Sequence, residues 1–239
     1  MQRYFAIDFI NNNSPILNTN DIHHILHVMR MKKGDDIEVI YHRKVCICRI
    51  SSTTPFSLEV ISSNDEHSEL DSEITLFFCL SKGHKNDLVI QKATELGVNR
   101  IILVETSRCV QHLDDKDFIK KRERYLTIAK EASEQCRRLV IPSIEGVYSL
   151  KDLSLHLCKH NYVAYEKCKG SKSFIDFNTI NKGDSISILI GPEGGLDIEE
   201  VELLEQIGFK PISLGNRILR AETAAFYALS IIGSHLENE

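Results

Sequence analysis

The chain has 239 residues, 42% hydrophobic and 26% charged, with a formal net charge of −5. That composition is globular and long enough for one large domain or two smaller ones. The acidic balance argues against indiscriminate nucleic-acid binding, though it leaves room for a local basic face. No apolar run approaches the roughly 20 residues that a membrane helix needs. The start, Met1-Gln2-Arg3-Tyr4-Phe5-Ala6-Ile7-Asp8, reads as a strand rather than a signal peptide, so a cytosolic protein is expected. The seven cysteines are scattered and form no C-x-x-C pair. They therefore read as small buried hydrophobes, and neither a zinc site nor a disulfide framework is expected.

The front of the chain is mostly β. Residues 4–9 read as a first strand, and Asp21 as the cap of a short helix running through His27 and Met29. Residues 36–41, 45–50 and 57–61 are short segments rich in β-branched residues. Short strands with one small helix suggest a compact barrel. Residues 62–72 are polar and acidic, a candidate linker.

Beyond it, strands alternate with helices. Residues 74–80 form a fully apolar strand, and 86–96 a helix with Val89, Ala93 and Leu96 on one stripe, stopped by Gly97. Strand 100–104 follows, then a long helix over 117–138 closed off before Pro142. A helical stretch at 150–158 and strands at 162–165 and 185–190 come next. Asp197 with Glu200 makes a capping-box start to a helix ending at Gly208. A strand at 211–214 and a terminal helix at 222–235 close the chain. This alternation implies an α/β unit with a parallel sheet covered on both faces. The expected domains are 1–72 and 73–239.

Two glycine signatures carry the chemistry. The first is Ile188-Leu189-Ile190-Gly191-Pro192-Glu193-Gly194-Gly195-Leu196. Glycines let a backbone take positive φ and approach a ligand closely, and a helix start brings unpaired N–H groups. A plain strand-to-helix turn would also account for it. The second, Ser213-Leu214-Gly215-Asn216-Arg217-Ile218-Leu219-Arg220-Ala221-Glu222, sets an Arg/Glu pair beside an apolar, glycine-lined wall. That suits a mostly apolar pocket with a few placed polar groups, or a simple pair capping the last helix. Neither G-x-x-x-x-G-K-[ST] nor G-x-G-x-x-G occurs, so nucleotide hydrolysis and dinucleotide chemistry lose weight. Residues 224–232 are apolar nearly all round, as in a core helix or one that also packs on a second subunit. Two basic clusters, Arg30-Met31-Lys32-Lys33 and the eight Lys/Arg against four Asp/Glu over 116–138, read on charge alone as solvated faces.

The chain resembles the small-subunit (16S) ribosomal RNA uridine-N3 methyltransferases, a branch of the SPOUT methyltransferases. The resemblance rests on Arg3-Tyr4-Phe5, on His24-Ile25-Leu26-His27-Val28-Met29-Arg30-Met31-Lys32-Lys33-Gly34-Asp35, and on Gln91-Lys92-Ala93-Thr94-Glu95-Leu96-Gly97-Val98. Glu131-Ala132-Ser133-Glu134-Gln135-Cys136-Arg137-Arg138 with Pro142, and the two glycine signatures, complete it. The chain departs from the pattern at Met29, at the hairpin Tyr41-His42-Arg43-Lys44, which lacks a glycine, and at Ser107 beside Arg108.

The resemblance implies a PUA-like β-barrel followed by a SPOUT domain with a trefoil knot. The knot loops would be 165–166, 190–196 and 214–220. It implies S-adenosylmethionine as cofactor, held by Ile190, Gly191, Gly194, Gly195, Leu214, Gly215, Arg217, Ile218 and Leu219. A sulfonium methyl is already activated, so no metal is expected. Arg220 would stabilise the anion developing on uracil, and Glu222 would orient it. Arg3, Arg30, Lys32, Lys33, Arg108, Arg137 and Arg138 would neutralise RNA phosphates. The implied partners are small-subunit ribosomal RNA, within the small ribosomal subunit, and a second copy of the chain. The alternatives are a SPOUT enzyme acting on another RNA and a non-catalytic RNA-binding relative; the retained glycines and Arg220 disfavour the latter.

Overall fold

The computed structural model describes residues 1–10, 14–168 and 175–237. In chain order these form β1 (Arg3–Phe5), β2 (Asp8–Ile10), β3 (Ser14–Ile16), α1 (Thr19–His23), β4 (Asp36–Tyr41), β5 (Lys44–Thr53) and β6 (Phe56–Asn64). Then come β7 (Ile74–Cys79), α2 (Lys85–Glu95), β8 (Arg100–Glu105), α3 (Asp115–Gln135), β9 (Ser143–Ser149) and β10 (His160–Ala164). β11 (Ile186–Ile190), α4 (Ile198–Gln206), β12 (Lys210–Ile212) and α5 (Ala221–Glu237) complete the chain. The chain divides into two compact units, Met1–Glu69 with Ser133–Val140, and Leu70–Ala132 with Ile141–Glu239.

In the first unit β1 runs parallel to β4, and β4, β5 and β6 follow in antiparallel order. The strand expected over residues 4–9 is two strands. Ala6 N donates to Ile40 O and Ile7 N to Ile16 O, so the backbone changes sheets between adjacent residues. The short helix is capped by Asn18, whose side chain accepts from Asp21 N at 2.7 Å, rather than by Asp21. It continues as a π-helical turn over His24–Val28. The β4–β5 turn is made without glycine, by His42 and Arg43 at φ 47° and 64°. Tyr4, Leu17, Ile25, Ile37, Val39, Cys48, Ile50 and Leu58 form its core.

The residues expected as a linker are instead partly strand and partly ion-paired. β6 runs through Asn64, and Glu66 and Glu69 bind arginines of the same unit. Arg3 lies opposite Glu38 in the parallel register. Its Nε donates to Glu38 Oε2 at 2.8 Å, its Nη2 to Glu66 Oε2 at 2.7 Å and its Nη1 to Arg137 O at 2.8 Å. Arg138, which is buried, donates to Glu69 Oε2 at 2.7 Å, and Leu139 N donates to Glu69 Oε1 at 2.7 Å. Arg137 takes φ 65° just beyond the end of α3.

The second unit is one six-stranded sheet in the order β12-β10-β11-β7-β8-β9, with every neighbouring pair parallel. β7 and β11 are buried at every residue, which is why their sequences are apolar apart from the buried Thr75 and Ser187 rather than alternating. The expected parallel sheet is therefore present, and it gains β9, a strand the sequence reading missed. Pro142 and Gly146 weaken the strand signal there, and the register shift between Ile102 and Leu103 passes over Gly146. Residues 150–156 are a 3-10 helix whose Ser149–Asp152 capping box is made. The Asp197–Glu200 capping box is made as the sequence predicts.

Candidate active site

Parallel strands end together, and the loops that leave their carboxyl ends enclose a crevice. Here the loops after β10, β11 and β12 surround a pocket of about 510 Å³, within the range of roughly 300–1,000 Å³ usual for small-molecule sites. All nine residues expected to hold the cofactor line it: Ile190, Gly191, Gly194, Gly195, Leu214, Gly215, Arg217, Ile218 and Leu219. Arg220 lines it as well. Tyr165 N donates to Ile212 O at 2.9 Å, which ties the ends of β10 and β12 beneath the pocket.

The glycines fit a close-approach wall. Gly195 and Gly215 take φ 72° and 109°, which other residues adopt only with strain. A Cβ on Gly191 would lie 3.0 Å from Leu196 Cγ, and one on Gly194 would lie 3.1 Å from Arg108 Cβ. A side chain at Gly191 or Gly194 would therefore have to push Leu196 or Arg108 aside, and one at Gly195 or Gly215 would strain the backbone.

Charges are concentrated at one side. Lys85, at the start of α2, donates to Glu193 Oε1 at 2.8 Å and lies 3.8 Å from Glu222 Oε2. Burial pushes the Glu193 carboxyl up, but the Lys85 ammonium and backbone N–H groups outweigh it and hold the group below the usual range. Glu222 was expected to orient Arg220; its ion pair is with Lys85, and its Oε2 is buried without a hydrogen bond. The sequence reading did not single out Lys85, because nothing local connects it to a glutamate 108 residues further on.

The expected RNA-contact residues fall into two groups. Arg30, Lys32 and Lys33 are exposed, as is Arg137, which donates to Glu38 Oε1 at 2.8 Å. Arg3 and Arg138 are buried, with side chains 2% and 4% exposed. Their guanidiniums are taken up by carboxylates and do not reach the surface in this conformation. Arg108 is half-exposed and bonds the pocket loop, donating to Gly194 O at 3.0 Å and pairing with Asp197.

A family model for an RNA methyltransferase domain matches residues 68–233, and one for an RNA methyltransferase PUA domain matches residues 17–61. Fold, pocket and front unit thus define a two-domain RNA methyltransferase. The chain is 39% identical over 226 residues to ribosomal RNA small subunit methyltransferase E of Bacillus subtilis, covering 91% of this chain and 88% of that one. It is 33% identical to the Buchnera aphidicola protein of the same name, over 88% and 86% of the two chains. A Legionella pneumophila protein solved in complex with the cofactor SAM superposes with a TM-score of 0.87 at 28% identity, over 98% of this chain and 97% of that one. The chain belongs to the ribosomal RNA small subunit methyltransferase E family.

Proposed function

We propose that the protein transfers a methyl group from S-adenosylmethionine to N3 of a specific uridine in small-subunit (16S) ribosomal RNA. The observation that carries this reading is the pocket. It gathers the flat glycine loop 191–195, the apolar wall of Leu214, Ile218 and Leu219, and the Arg220 guanidinium in one crevice at the strand ends.

Bound there, S-adenosylmethionine supplies a methyl group already activated by its sulfonium. The backbone of Ile190–Gly195 and Leu214–Gly215 presents N–H and C=O groups to the cofactor edge. The apolar side chains exclude water. The uracil imide must give up its N3 proton, to hydroxide of the solvent, to become a nucleophile, so negative charge grows on the base. As the N–CH3 bond forms, the S–CH3 bond would break and leave the neutral thioether S-adenosylhomocysteine. Arg220 is a fixed cation at the pocket and stabilises that charge, while the two walls align the acceptor nitrogen with the methyl group. The target base would be flipped into the pocket. Arg30, Lys32, Lys33 and Arg137 have the exposure to neutralise phosphates.

The finer reading has three further parts. The loops at 165–166, 190–196 and 214–220 form a trefoil knot. The chain works as a homodimer through α5, where Tyr227 and Ile231 are exposed at 41% and 36% in a segment, 224–232, that is apolar apart from Ser230. It acts in the cytoplasm on RNA within the small ribosomal subunit.

The test is methyl transfer from labelled S-adenosylmethionine to small subunits that lack the modification, followed by nucleoside mass spectrometry. New N3-methyluridine in the small-subunit RNA is the expected result. Cofactor binding without transfer would point to another RNA substrate. Absence of both would leave a non-catalytic RNA-binding protein.

A further inference from the structure

Lys85 has no part in the reaction as proposed, yet it holds the most connected position at the pocket. It is the first residue of α2, its side chain is 34% exposed, and it lines the cavity. Its ammonium donates to Glu193, in the loop after β11, and faces Glu222, in the first turn of α5. These two carboxylates belong to the two different glycine signatures. A single cation from a third element therefore spans both walls.

The electrostatics give the span a purpose. Glu222 Oε2 is buried with no hydrogen bond, and a buried carboxylate oxygen without compensation is unfavourable. The Lys85 charge at 3.8 Å supplies that compensation. Without it, the Glu193 and Glu222 carboxylates would stand with their shared cation removed. The Glu193 carboxylate holds the Lys85 proton more tightly than usual and Glu222 adds to this, while Arg220 opposes it. Arg108 makes a useful contrast: it bonds Gly194 O, one residue beyond Glu193, and does not join the second signature.

We propose that Lys85 is a positioning residue that ties the loop 191–195 to the first turn of α5, where the second glycine signature ends, and so sets the affinity of the pocket for S-adenosylmethionine. The proposal rests on the reading of this pocket as the S-adenosylmethionine site. A wall assembled before the ligand arrives loses less freedom on binding. Removing the tie should weaken the cofactor complex before it affects methyl transfer.

The experiment is isothermal titration of S-adenosylmethionine into the full-length wild type, Lys85→Ala, Lys85→Arg, Glu193→Gln and the Lys85→Ala/Glu193→Gln double variant. A thermal melt of each checks folding. Lys85→Ala should bind about tenfold more weakly, as for loss of one charge-assisted hydrogen bond. Lys85→Arg should recover affinity to within about threefold, because the cation is restored. The double variant should lose less than the sum of the single losses, because its two members act through one contact. In methyl transfer, Lys85→Ala should raise KM for S-adenosylmethionine and leave kcat within about twofold. A folded Lys85→Ala that binds as tightly as wild type overturns the proposal. So does a folded Lys85→Arg that gives no recovery, or a double variant with simply additive losses. A wild-type chain that binds no S-adenosylmethionine overturns the reading of the pocket itself, a different failure from a wild type that binds and a Lys85→Ala that binds equally.

Discussion

Arg220 is separated from the cofactor loop Leu214–Gly215 by only a few residues, and it lies exposed in the same wall as Ile218 and Leu219. A guanidinium stays charged at any pH the protein meets, so its contribution should be made to the transition state rather than to a proton transfer. Arg220→Ala should lower kcat by about 10²–10³-fold, the range seen when one preorganised donor is lost. Its affinity for S-adenosylmethionine should stay within about threefold of wild type, since the glycine walls remain. Single-turnover methyl transfer together with cofactor titration measures both. Normal transfer by this variant would remove Arg220 from the mechanism. The two glycine signatures made this residue legible in the sequence, because a strand, a tight loop and a helix start are all local patterns. Lys85 was not legible, because its importance comes entirely from meeting Glu193 and Glu222 through space.

Among the elements, the end of α3 shows how a basic run can be structural. The resemblance pointed to Arg138 as a phosphate contact. In the fold, Arg138 is buried and Glu69 largely so, and the Glu69 carboxylate also accepts from Leu139 N. Breaking one side of such a pair leaves an uncompensated buried charge, typically at a cost of about 3–5 kcal/mol. Arg138→Ala should therefore lower the unfolding free energy of the intact chain, read from urea titration, by an amount of that order, with the urea midpoint falling accordingly. If the dominant role were phosphate binding, the midpoint would stay near wild type and only RNA affinity would fall. The acidic stretch before β7 is explained by the same pairing. Glu66 and Glu69 read as linker residues from composition, and the arginines that bind them lie 63 and 69 residues away in sequence. β9 shows the other limit of local patterns. Pro142 before it and Gly146 within it hide its propensity, and parallel pairing with β8 supplies what propensity does not.

For the whole molecule, a net charge of −5 and binding to a polyanion are compatible only if the cations are grouped. Arg30, Lys32 and Lys33 are consecutive or nearly so, exposed, and in the first unit, with Arg30 at φ 55° just beyond the π-helical turn. Phosphate contacts release counterions, so RNA affinity should fall steeply with salt. Lys32→Ala and Lys33→Ala should each reduce the slope of log K against log salt by about 1, without changing which RNA is preferred. Fluorescence anisotropy with a small-subunit RNA fragment across a salt series reads this directly. An unchanged slope would return the cluster to the solvated face that its charge alone suggests.

By itself, the sequence determined the β-first, α/β-second order, the parallel sheet, the capped start of α4 and the two glycine signatures, while the residues expected around the pocket came through the family resemblance. Each is written in patterns of a few consecutive residues: apolar runs for strands buried on both faces, Asp197–Glu200 for a helix start, paired glycines for a loop that lies flat. The tertiary structure alone decided which arginines are buried, that Ser133–Val140 is counted with the first unit, and that Lys85 meets both Glu193 and Glu222. Those outcomes depend on polar groups meeting across as many as 134 residues of chain, as between the Arg3 guanidinium and the Arg137 carbonyl oxygen. Local propensity carries no information about such approaches. Burial then fixes their meaning, because an arginine enclosed with a carboxylate holds the fold together while the same residue in water is free to meet a phosphate.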